Sequence, residues 1–204
     1  MTEQSEQEIG TFFDECARNG FMETFDSNEI IKLRNMLDQW DIKPGHTILE
    51  PGCGSGRLTE YLAEAVGSEG KVVACDLSRV MIQKVLQRNL PKHVTVYCGS
   101  AARVPVEDNY FDKILCFQVF PHFIEKERTL TELARVLKTG GDLWINHLKS
   151  KEEINNIHRH ASRVVISHHL PPDEDMYRLL SQNGFNVKFI RNSIDGYHLH
   201  AEKK

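Results

Sequence analysis

The sequence predicts an α/β fold: a three-layer α/β/α sandwich around a mostly parallel, seven-stranded sheet that closes in a C-terminal antiparallel hairpin. Three observations predict it. Short apolar runs alternate with amphipathic helical periodicities, the pattern of strand–helix–strand crossovers. A glycine-rich turn joins the first strand directly to a helix. The last two apolar runs flank Asp195-Gly196, a pair that favours a hairpin turn.

The elements follow in order. Glu6 to Arg18 and Ser27 to Trp40 read as helices, the second opened by Asp26-x-x-Glu29, which has capping-box spacing. Phe12, Phe13, Phe21, Met22 and Phe25 make this region apolar and aromatic, suited to a lid over a ligand or to plain core packing. Thr47 to Glu50 is the first strand. Leu58, Tyr61, Leu62, Ala65 and Val66 recur at i, i+3, i+4, i+7 and i+8, so a helix follows and stops at Gly67. Lys71 to Asp76 is the second strand, with Ser78 as N-cap of the next helix. Val94 to Cys98 and Phe111 to Phe117 are the third and fourth strands. A helix from Glu125 carries Leu130, Leu133, Ala134 and Leu137 on one face, and Gly140-Gly141 turns into a fifth strand, Asp142 to Asn146. Lys151 to Val165 is expected as one helix, with Ile154, Ile157, Ala161, Val164 and Val165 on a stripe, before Pro171-Pro172 breaks it. Asp173 to Asn183 forms another helix, ending at Gly184. Asn186 to Arg191 and Tyr197 to Ala201 are the closing strands.

Composition narrows the function classes. The 204 residues are 40% hydrophobic and 26% charged, ordinary for a globular protein. Lys and Arg number 25 against 29 Asp and Glu, a net charge of -4, which disfavours bulk attraction to nucleic acid. No apolar run approaches the roughly 18 residues of a membrane span, and Met1 to Glu8 lacks the pattern of a signal peptide, so a cytoplasmic protein is expected. Cys16, Cys53, Cys75, Cys98 and Cys116 form no C-x-x-C pair and read as reduced thiols.

The chemistry concentrates at Glu50-Pro51-Gly52-Cys53-Gly54-Ser55-Gly56. Glycines there let the backbone turn sharply and let a ligand approach without meeting Cβ atoms. The dinucleotide pattern G-x-G-x-x-G fails because position 57 is Arg, and Gly70-Lys71 has Ala65 where a phosphate-binding loop needs glycine. The Glu50 carboxylate at the mouth of the loop suits a zwitterionic or cationic ligand instead. Asp76 ends the second strand, 24 residues after Gly52, where its carboxylate can accept both protons of a ribose diol. Leu77 follows and can pack on a base. A ribosyl ligand is the expectation from these residues.

Ile48 to Gly56 resembles motif I of class I S-adenosylmethionine-dependent methyltransferases with a Rossmann-like fold, of the small ubiquinone-biosynthesis-like (type 11) group. Asp76 is similar to the motif II acid, Cys98 to Ala101 with Val104 to Asp112 to the third- and fourth-strand block, and Leu133 to Gly141 to the late "RVLKPGG" segment, with Thr139 for Pro. The matches run in order over about residues 43–147. The resemblance implies S-adenosylmethionine as cofactor, with Glu50, Gly52, Cys53 and Gly54 bordering its methionine part, Asp76 the ribose, and Leu77, Ser100 and Ala101 the adenine. Phe117 is grouped with these contacts. Position 100 often carries Asp in this family, and serine accepts a hydrogen bond more weakly. One domain is expected: a helical cap over 1–42, the cofactor-binding core over 43–147, and substrate-side helices with the hairpin over 148–204.

The expected activity is methyl transfer to a small-molecule acceptor by in-line displacement, in a monomer or homodimer. A sulfonium-bound methyl is already activated, so alignment supplies much of the acceleration. His122, after the fourth strand, lies by resemblance near the transfer site, and His147, ending the fifth, is expected to face the same crevice; both are candidate catalytic groups. No metal is expected, although His147 with His158 and a carboxylate could converge. The competing readings are a catalytically silent cofactor-binding module and a nicotinamide-dependent reductase. The latter, in its short-chain form, needs a Y-x-x-x-K pair that none of the five tyrosines supplies.

Overall fold

The computed structural model describes residues 2–204, with side chains from residue 5 onward. Among these residues the helices are α1 (Thr2–Arg18), α2 (Ser27–Trp40), α3 (Thr59–Val66), α4 (Arg79–Leu86), α5 (Lys126–Val136), α6 (Lys151–Arg159) and α7 (Asp173–Gln182). The strands are β1 (Thr47–Pro51), β2 (Lys71–Asp76), β3 (Val94–Cys98), β4 (Phe111–Phe117), β5 (Leu137–His147), β6 (Phe185–Ser193) and β7 (Gly196–Lys203). They form one sheet in the order β3-β2-β1-β4-β5-β7-β6. The pairs among β1 to β5 are parallel, and β7 runs antiparallel to both β5 and β6.

Side-chain alternation along the strands builds three layers. Leu49, Ile114, Cys116, Leu143, Ile145 and Leu199 face one way, against Leu130 and Leu133 of α5, Ile154 of α6 and Leu180 of α7. Ile48, Val72, Leu115 and Trp144 face the other way, against Leu33, Met36 and Trp40 of α2 and Leu62 and Val66 of α3. Ala74 packs with Ile82 and Val85 of α4. Local signals close the helices as expected: Asp26 and Glu29 make the reciprocal capping box of α2, and the Ser78 hydroxyl accepts from the Met81 amide at the start of α4.

Three expectations need correction. The helix from Lys151 stops at Arg159, and of the extended stripe Val165 is buried while Ile157 and Ala161 are exposed. The chain turns back because the Asn155 amide exchanges two hydrogen bonds with the Leu170 backbone, at 2.8 and 3.0 Å. β5 begins at Leu137, not Asp142: Leu137 pairs with Phe111, and the register then jumps to Lys113–Asp142, so Gly140 and Gly141 sit inside an irregular strand. The hairpin turn is Ile194-Asp195, because Gly196 already pairs with Ser193.

Sheet order positions the site. The chain leaves β1 toward β2 on one side and returns to β4 on the other, which opens a crevice beyond the carboxyl ends of β1 and β4. α1 crosses that opening and packs on α4.

Candidate functional site

A cleft open to solvent lies over these strand ends. Gly52 (φ 70°) and Gly54 (φ 55°) are left-handed, a conformation glycine adopts without a Cβ clash. The Gly52 and Cys53 amides donate to the Cys75 carbonyl, and the Gly54 amide donates to Asp76 Oδ2 at 2.9 Å, so the loop is bent onto the end of β2. Ser78 N–H donates to Asp76 Oδ1 at 2.8 Å. The Asp76 carboxylate therefore holds the loop while keeping lone pairs directed at the cleft it lines. Burial pushes its pKa up against these hydrogen bonds.

Glu50 is buried and lines the cleft floor, where Thr59 Oγ1 donates to its Oε2 at 2.6 Å. Burial pushes its pKa up to about 8. Nearby, Arg57 is buried, its Nη1 donates to the Thr24 carbonyl at 3.1 Å, and its guanidinium lies over the Phe25 ring. Its Nη2 has no partner among the described residues. Among the described residues Glu50 has no ion-pair partner, while Arg57, whose Nη1 also pairs with Glu29 at 3.3 Å, keeps an unused donor; two such groups lining one cleft fit a zwitterionic amino-acid moiety.

Cys53, Leu77, Ser100, Ala101 and Phe117 also line the cleft, so it gathers all nine residues expected at the cofactor. The two expected catalytic histidines separate. His122 lines the cleft, with its Nδ1 3.1 Å from Nδ1 of His168 and its ring edge-on to Phe13 at 5.0 Å. Burial, then the neighbouring His158 and His168, holds its pKa well below the ordinary value, so the ring is neutral. His147 does not face the crevice. It is buried behind the wall near Tyr197, because β7 pairs along β5 to its last residue. Its Nε2 has no partner among the described residues, and burial pushes its pKa down to about 3. Among the described residues no histidine, cysteine and carboxylate group is arranged to hold a metal, the His147–His158 combination included.

Phe13, Phe21 and Met22 line the cleft mouth, whereas Phe25 packs on Tyr61 and Phe117, so the N-terminal aromatics divide between lid and core. Among the lining or supporting residues that escaped the sequence reading are Glu6, Arg57, Gln118 and His168. Gln118 follows β4 with φ 56°, a strained position for a side chain-bearing residue, and its Nε2 is buried without a partner among the described residues. Only Arg57 carried a signal, as the residue that breaks the dinucleotide pattern.

A family model described as a methyltransferase domain matches residues 49–145. A demethylmenaquinone methyltransferase of Symbiobacterium thermophilum is 32% identical over 151 residues, covering 68% of this chain and 58% of that protein. The ubiquinone/menaquinone biosynthesis C-methyltransferase UbiE of Cupriavidus taiwanensis is 25% identical over 190 residues, covering 89% of this chain and 78% of that protein. The matches to two further curated relatives span 32% and 44% of those proteins' lengths. The crystal structure of a SAM-dependent methyltransferase from Aquifex aeolicus shares the fold, with a TM-score of 0.69 at 24% identity over 88% of this chain and 100% of that one. Among the described residues no helix is long and apolar enough to cross a membrane.

Proposed function

The chain belongs to the class I S-adenosylmethionine-dependent methyltransferase family, and from that premise we propose that it methylates a ring carbon of a small, apolar, quinol-type acceptor. One observation carries the acceptor class. Apart from the residues expected at the cofactor, the cleft is lined by Phe13, Phe21, Met22, Phe123 and Ile124, with neutral His122 and the uncharged Gln118 and Thr129 among its polar groups. Such a wall favours an uncharged ring over an amine or carboxylate, whose desolvation it would not offset. The names of the quinone-ring methyltransferases among the relatives support the same class.

S-adenosylmethionine, when bound, supplies a methyl on a sulfonium that leaves as a neutral thioether. The chain's residues align it. Glu50 takes the ammonium side of the methionine moiety and the free Nη2 of Arg57 its carboxylate. Asp76 accepts from the ribose hydroxyls with the lone pairs that Gly54 and Ser78 leave. Gln118 Nε2 donates to a ring oxygen of the acceptor. His122, whose Nδ1 is occupied by His168, accepts from a ring hydroxyl through Nε2 and raises electron density at the adjacent carbon. Its depressed pKa makes it an orienting acceptor rather than a store for the proton, which passes to water.

The test is label transfer from methyl-labelled S-adenosylmethionine to a panel of quinols, phenols, thiols, amines and carboxylates. Carbon labelling of quinols is expected, with Asp76→Ala abolishing it through lost cofactor affinity. His122→Ala should lower kcat about 100-fold at unchanged cofactor affinity. Label confined to thiols, amines or carboxylates would refute the acceptor class.

A further inference from the structure

The adenosine end of the cleft has a component from outside the strand loops. One face of α1 carries Glu6, Ile9, Gly10, Phe13 and Asp14 at helical spacing. Glu6, Ile9 and Phe13 line the cleft. Gly10 touches the Leu77 backbone so closely that an added Cβ would lie 2.8 Å from the carbonyl oxygen. Asp14 Oδ1 accepts from Ser78 Oγ at 2.5 Å and from Val80 N–H at 3.0 Å, which pins the helix to the start of α4. The stripe thus roofs the cleft over about 10 Å, from Phe13 beside His122 to Glu6 beside Ser100.

At that far end Ser100 Oγ donates its proton to Glu6 Oε1 and accepts from the Ala102 amide at 3.1 Å. The serine is engaged within the protein. With its proton and one lone pair used, the serine is the weaker acceptor; the stronger one left for a ligand is the Glu6 carboxylate, and no lysine or arginine among the described residues pairs with it. Its surroundings in the cleft are apolar: Ile9, Leu77, Ala101 and Met81. A flat base between those side chains meets one strong acceptor, and adenine presents one exocyclic amino group.

Resting on the proposed cofactor reading, we infer that Glu6 of the N-terminal helix is the residue that selects adenine, accepting a hydrogen bond from its 6-amino group. It does from α1 what Ser100, spent on Glu6 and Ala102, does not do from the strand end. Base recognition and closure of the helical roof are then one event.

Calorimetric binding of S-adenosylhomocysteine and of its analogue with hydrogen in place of the 6-amino group tests this. The wild-type protein should prefer the amino compound about tenfold or more, the effect of one hydrogen bond to a charged group. Glu6→Ala should bind both compounds about equally. Glu6→Gln, nearly isosteric and still offering a carbonyl oxygen, should keep a reduced preference. Asp14→Ala, which loosens the roof without removing the carboxylate, should weaken both compounds and retain the preference. A tenfold preference that survives in Glu6→Ala and Glu6→Gln would overturn the inference and leave the cofactor reading standing. Failure of the wild-type protein to bind either compound would overturn both.

Discussion

Two glycines separated by a single residue do different work in the loop. At Gly52 an added Cβ would sit 2.2 Å from Val119 Cγ2, where the ends of β1 and β4 close on each other. At Gly54 it would meet nothing within 4 Å, because it would project into open space. Both positions are left-handed, which costs a side chain-bearing residue about 1–2 kcal/mol. Gly52→Ala adds an overpacking cost of about 1–3 kcal/mol and should fail first in urea. Gly54→Ala should lose only the backbone share of stability yet raise the Kd for S-adenosylhomocysteine at least tenfold. Equal stability losses with unchanged affinity for Gly54→Ala would contradict this division.

α1 buries Ile9 and Ala17 and is also fastened to the rest by a set of polar contacts. Asp14 holds its middle to α4; beyond its end, Ser55 Oγ donates to the Met22 carbonyl at 3.0 Å, Lys84 pairs with Glu23, and Arg88 donates to the Glu23 carbonyl. Removing the Asp14 carboxylate leaves the Ser78 cap on Met81 intact, so the core keeps its stability. Asp14→Ala should therefore expose Arg18 to trypsin roughly tenfold faster, as expected for local opening eased by about 1–2 kcal/mol, and saturating S-adenosylhomocysteine should restore protection. An unchanged cleavage rate would show that apolar contacts hold α1 unaided. The elements themselves were legible over residues 6–136, although α1 starts earlier, at Thr2, because caps and breakers there are local: Asp26, Gly67, Ser78. They were less legible after Arg159, where one long-range amide, Asn155 to Leu170, overrides a helical periodicity.

The whole molecule carries a set of neutral histidines around and behind His122. The folded-state pKa of His147 is pushed down to about 3 by burial, from an ordinary 6.5. The unfolded chain therefore binds more protons between these two values. Its contribution to stability is complete above pH 6.5 and is lost as pH falls toward about 3, with a slope of up to about 1.4 kcal/mol per pH unit for this group. His168, lowered to about 4, adds in the same direction, less because it is more exposed. Urea midpoints should fall steadily from pH 6.5 downward, and His147→Leu should flatten that fall. A variant as acid-sensitive as the wild-type protein would place the acid transition elsewhere.

Hydrophobic period, glycine punctuation and acidic strand ends determined by themselves the fold class, most of the strand segments and the glycine loop with the acidic strand end that line one part of the cleft. These are decided within one or two neighbouring elements, and their residues sit close together in the chain. Tertiary structure alone decided that β7 enters the sheet between β5 and β6 and so buries His147, that among the described residues Gln118 and Arg57 keep unpaired donors, and that Glu6 reaches Ser100 across 94 residues. Those outcomes depend on sheet order and on which polar groups remain after packing has used the others, and neither leaves a periodic trace in the chain.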